Sequence, residues 1–152
     1  MTPQDDWRRD LAKSAFNRAW ELIEKVPRKP WEDRQMLVLA ASSRFLFEDV
    51  GGEEPLMIGD WQIGHVLALL GDGDLSLRFA QAALERASDN GWQDWRLASC
   101  VEGMARAHAA RGDKVARDFY ADRCQALLAA LPDDEDRELI TGQLATVPEV
   151  GS

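Results

Sequence analysis

The sequence predicts an all-α fold of about seven helices, stacked as antiparallel hairpins. Three observations carry this expectation. Proline and glycine cut the chain into seven segments whose apolar residues recur every three or four positions, the period of one helix face. No segment alternates apolar with polar residues, and β-branched residues are scarce, so no strand is expected. A Gly-Asp pair recurs at Gly71-Asp72 and Gly112-Asp113, each time where one periodic segment stops and the next begins.

The elements follow in order. Thr2 is placed to cap the first helix, with Pro3 at its first position and Asp5-Asp6 in its first turn, where the helix dipole favours acid. Its apolar stripe reads Trp7, Leu11, Ala15, Ala19, Leu22, Ile23 and Val26, widened by Phe16 and Trp20. Pro27 and Pro30 separate it from a second helix, about Pro30 to Asp49. From Met36 to Phe47 that helix is apolar almost all round, which predicts a place in the middle of the stack, covered on two sides. Gly51-Gly52 closes it. The third helix is expected from about Pro55 to Leu70 and the fourth from about Asp74 to Ser88, with Asn90-Gly91 as its stop. The fifth begins between Trp92 and Asp94 and ends at Arg111. The sixth runs from Asp113 to Leu131, where Pro132 halts it. The seventh opens on Asp133 and fades near Thr146.

The two Gly-Asp turns belong to a longer repeat. Ile63-Gly64, Leu67, Gly71-Asp72 matches Met104-Ala105, His108, Gly112-Asp113. A helix with small residues follows each: Ala80, Ala83 and Ala87 after the first, Ala116, Ala121 and Ala126 after the second. A small residue at the contact lets the second helix approach closely, while Gly ends one helix and Asp caps the next. This pattern resembles the tetratricopeptide repeat, from about Pro55 to Leu131 and more loosely from Pro3 to Asp49. The resemblance implies a right-handed superhelix of helix pairs with a concave face lined by the first helix of each pair. The turns lie 41 residues apart, longer than the family period of about 34, and no proline closes the unit after the fourth helix. The whole chain also resembles a group of uncharacterised bacterial proteins of this length, through Ala40 to Phe47, Gly59-Asp60-Trp61-Gln62-Ile63, Asp94-Trp95 and Asp136-Arg137-Glu138-Leu139. That group implies the helical fold and lends no activity. Its histidines stand where this chain reads Ser42-Ser43-Arg44-Phe45-Leu46.

Bulk properties narrow the function. The chain has 152 residues, enough for one domain, read as residues 1–150, that buries roughly 70% of its unfolded surface. Gly151-Ser152 read as a cloning scar. Six Trp and five Phe argue against disorder. A net charge of −9 disfavours nucleic acid and anionic membrane surfaces. No apolar run approaches the ~18 residues of a membrane span, and the polar start reads as no signal peptide. Two cysteines make no disulfide scaffold, so a reducing cytoplasm is expected.

The candidate chemistry is thin. Neither His65 nor His108 has a Cys, His or carboxylate three or four residues away, so no metal site and no cofactor are expected. Cys100 and Cys124 each stand twelve residues from Gly112 and read as buried, reduced thiols. Arg111-Gly112-Asp113 is a turn and a cap rather than an adhesion motif. Asp133 to Asp136 is acid in a first helical turn rather than a calcium loop. Gly71 to Gly73 lacks the Lys-Ser or Lys-Thr of a phosphate loop.

The sequence therefore favours a non-enzymatic protein–protein interaction module holding a peptide or partner helix in a concave groove. Trp61 and His65 on the third helix and Arg96 and Arg106 on the fifth are expected to face one depression, the arginines forming a local positive patch for an acidic ligand. Self-association through the second or seventh helix, giving a homodimer, is a structural variant. The rival reading is a small-molecule binder or enzyme with a pocket near Arg44, Trp61 and His65.

Overall fold

The computed structural model describes residues 2–151, and these form seven α-helices with no strand among the described residues. They are α1 (Pro3–Glu24), α2 (Pro30–Phe47), α3 (Glu53–Leu69), α4 (Gly73–Asp89), α5 (Trp95–Ala110), α6 (Lys114–Ala129) and α7 (Asp134–Ala145). Ser152, half of the expected scar, lies outside the described residues, as does Met1. Among the described residues no helix is long and apolar enough to cross a membrane.

Local chemistry sets the boundaries. Thr2 caps α1 in a reciprocal box: its hydroxyl accepts from the Asp5 amide at 3.1 Å, and the Asp5 carboxylate accepts from the Thr2 amide at 3.2 Å. Asp72, Asp94, Asp113 and Asp133 cap α4, α5, α6 and α7 by accepting backbone amides of the first turn. The turns after α3, α4 and α5 share one geometry. Gly71, Gly91 and Gly112 sit at φ of +85°, +69° and +74°. The next amide in each case reaches back five residues, Asp72 to Leu67, Trp92 to Ala87 and Asp113 to His108, at 2.9–3.0 Å. This left-handed closure satisfies carbonyls that the helix end leaves free.

Consecutive helices pack as neighbours, and α5 also lies against α3 and α7. Small residues make the approaches close. The α1–α2 contact is built on Ala12, Ala15 and Ala19, all buried, with the Ser43 hydroxyl donating to the Ala12 carbonyl at 2.8 Å. In the next hairpin the Ser76 hydroxyl donates to the Gly64 carbonyl at 2.7 Å, and a Cβ at Gly64 would stand 3.3 Å from the Ser76 carbonyl oxygen. Eleven of the sixteen residues of α5 are buried, which makes it the central element. Cys100 and Cys124 are both buried and free.

One expectation about faces is corrected and a second refined. Trp7 and Leu11 do not face the core. They are exposed, because α1 turns its alanines and Ile23 inward to come close to α2. The second helix packs against two neighbours, as expected, but its apolar surface is not all covered. It buries Met36, Leu39, Ala40, Ser43 and Phe47 against α1 and α3, and leaves Trp31, Val38 and Phe45 in solvent.

Candidate functional site

Helices α1, α3, α5 and α7 wall a groove. Its deeper part is a cavity of about 280 Å³ lined by Phe16 and Trp20 of α1, Met57, Ile58 and Trp61 of α3, Trp95 and Ser99 of α5, and Leu139, Ile140 and Gln143 of α7. A wider cavity of about 630 Å³ continues it. The two share Trp20, Leu139 and Gln143, and the second adds Ile23, Arg28, His65, Arg106 and Thr146. Asn17 and Asp136 supply polar edges to the first.

An aromatic cluster forms the floor. The Trp20 and Trp61 rings stack with centroids 5.6 Å apart and planes 25° apart. His65 presents an edge-on contact to both, at 5.4 Å from Trp20 and 5.8 Å from Trp61. Both are favourable arrangements of aromatic quadrupoles. His65 is almost fully buried and its Nδ1 has no hydrogen-bond partner. Burial above all, and then the positive charges of Arg106 and Arg28, hold its pKa well below the usual histidine value, so the ring is neutral at pH 7.

A buried polar network fixes this floor. The Trp61 indole Nε1 donates to Glu102 Oε2 at 3.0 Å. Arg106 donates twice to Glu102 Oε1, from Nε at 3.1 Å and from Nη2 at 2.7 Å. The same Nη2 reaches α7, donating to the Gln143 carbonyl at 3.0 Å and to Thr146 Oγ1 at 2.8 Å. Glu102 is 0% and Arg106 3% exposed. Gly103 admits the indole: a Cβ there would stand 3.1 Å from Trp61 Cδ1. Three helices are thereby joined through the Glu102 carboxylate and the Arg106 guanidinium it holds.

Of the residues expected at the site, Trp61, His65 and Arg106 come together here. Arg96 does not. It sits at the start of α5, bonded to Asp94 Oδ1 from Nε at 3.0 Å and to Glu54 from Nη1 at 3.2 Å, with its guanidinium 4.2 Å over the Trp92 ring. Arg44 lies apart too, bound to Asp60 at 3.0 Å and Glu48 at 2.8 Å. The positive patch is corrected with them, because Arg106 is buried and its charge is taken up by Glu102.

Comparison with known proteins finds no matching family model, curated protein or solved structure. Among the described residues no three His, Cys, Asp or Glu side chains converge as metal ligands. The two thiols lie in the core, and burial first, then the charge of Glu102, pushes each up to about 12, far from a reactive thiolate. What the groove offers is aromatic and aliphatic surface edged by a few hydrogen-bonding groups.

Reading the sequence alone overlooks Glu102, the residue that holds the floor together. The signal was a glutamate four residues before an arginine inside an otherwise apolar segment. Trp95, packed in part against two apolar clusters, also lines the groove.

Proposed function

We propose that this chain is a non-enzymatic interaction module, a tetratricopeptide-like stack that holds a peptide or partner helix between α1 and α7. The observation that supports the reading is the group of apolar rings and side chains lining the smaller cavity, Phe16, Trp20, Trp61, Trp95 and Leu139, with Trp20 and Leu139 continuing into the wider one and Trp61 held by Glu102. Adjacency of α3, α5 and α7, the first members or sole member of their units, is the arrangement such stacks use to present a concave face. The partner segment would carry aliphatic or aromatic anchors, because buried aromatics in fitted pockets dominate binding energy. The rival pocket around Arg44, Trp61 and His65 has less support, since Arg44 is committed to Asp60 and Glu48 away from the groove.

The test is selection of a displayed random-peptide library on the immobilised protein, followed by affinity measurement against Leu139→Arg. Leu139 is 62% exposed on the groove rim, so its replacement leaves the core intact. Selected peptides should carry apolar anchors and lose at least about tenfold in affinity, the worth of one desolvated contact of roughly 1.4 kcal/mol. Equal binding to both proteins would place the site elsewhere, and a library that yields no binder would count against the module.

A further inference from the structure

We propose that the outer face of α2 is a homodimer interface, closed by antiparallel pairing with α2 of a second copy about a twofold axis at Val38. Trp31, Val38 and Phe45 are 55%, 55% and 69% exposed, and they stand seven residues apart. Seven residues is two helical turns, so the three side chains fall in one seam of the kind that pairs helices. The core-facing side of the same helix is already satisfied by α1 and α3.

The identity of the occupant follows from the symmetry of the seam. A twofold axis at Val38 sets Val38 on its own copy, and places Trp31 of each chain on Phe45 of the other. One patch then serves both partners, as an isologous interface requires. Charge selects the antiparallel sense. Exposed Lys29 and Arg34 stand at the N-terminal end of α2, and exposed Glu48 and Asp49 at its C-terminal end, with Glu48 shared by Arg44. Antiparallel pairing brings basic end to acidic end twice, and opposes the helix dipoles. Parallel pairing would set like charges together. Ala41, exposed between Val38 and Phe45, leaves room for the axes to approach. Val115 and Phe119 of α6 are also exposed, but they are a pair four residues apart with no third member to mirror about an axis. A seam about 21 Å long on a single helix lies at the small end of specific interfaces, so the dimer is reversible.

Sedimentation equilibrium over rising concentration, combined with cysteine cross-linking, tests this. The expected mass rises from 17.0 kDa toward twice that value. Val38→Asp should remain a monomer throughout with an unchanged circular dichroism spectrum, and Val115→Asp should dimerise as the wild type does. Val38→Cys should oxidise to a disulfide-linked dimer, the native thiols being buried. A mixture of Trp31→Cys and Phe45→Cys should cross-link chain to chain, while Trp31→Cys alone should not. Its two thiols would lie about 21 Å apart, fourteen residues at ~1.5 Å rise. A wild type that stays monomeric, a Val38→Asp protein that dimerises normally, or self-linking of Trp31→Cys would each overturn the proposal.

Discussion

Replacing Glu102 by alanine tests the construction of the groove floor most directly. The carboxylate is fully buried and accepts from Trp61 and twice from Arg106. Its removal leaves a guanidinium that is 3% exposed facing only the neutral oxygens of Gln143 and Thr146, and an indole N–H with no acceptor. Breaking a buried pair in this way costs about 3–5 kcal/mol, against a total stability of about 5–15 kcal/mol for a domain. For a chain of this size that lowers the melting temperature by about 10 °C. Urea titration followed by circular dichroism, with tryptophan fluorescence as a second probe, measures the loss by linear extrapolation. Glu102→Leu combined with Arg106→Met removes both charges together and should recover a large part of it, because the main penalty is the stranded charge rather than the missing attraction. A single-variant loss below about 1 kcal/mol, the value of an exposed ion pair, would refute the reasoning, as would a double variant no better than the single one.

Two further outcomes are expected. His65 is neutral in the fold because burial lowers its pKa, whereas the unfolded ring titrates near its ordinary value of 6.5. Below that value the unfolded chain binds the extra proton, so this part of the stability is intact above pH 6.5 and is lost as pH falls toward the folded pKa, with a slope of up to about 1.4 kcal/mol per pH unit. His65→Phe, which gives up no hydrogen bond at Nδ1, should flatten the pH dependence of urea midpoints relative to wild type. Identical slopes would count against it. Cys100 and Cys124, buried and held far from ionisation, should both fail to react with a thiol reagent at pH 8 in the native state and both react in urea. Fast native labelling of either would contradict the packing.

Much of the fold is legible in the sequence because the signals are local. Thr2-Pro3 with Asp5, the Gly-Asp pairs, Asn90-Gly91 and Asp133 each act within a turn of themselves, and the helices start and stop within a few residues of where they predict. Faces are harder to read. In α1 the large residues Trp7 and Leu11 dominate the apolar pattern, yet close packing selects the alanines, and that choice depends on α2. The site divides the same way. Trp61 and His65 share a helix and a face, so their meeting is readable. Arg106 becomes a buried structural group only through Glu102 beside it and α7 nearly forty residues away. Arg96 was the mirror case, since Asp94 two residues before it already offered a partner.

The central place of α5 also bears on how the molecule comes apart. It contributes Leu97, Ala98, Val101 and Ala105 to one apolar cluster, Cys100 to a second and Met104 and Ala107 to a third. The remaining cluster, from α1 to α3, is joined to one of these because Trp20 packs against both. A linear array of repeats frays from its ends, each unit leaving its neighbour largely intact. Here the apolar clusters are shared between successive helix pairs, so opening one pair exposes surface that its neighbour also buries. The amide protons of α5 should therefore exchange only through global opening, and at nearly the same free energy as those of α3.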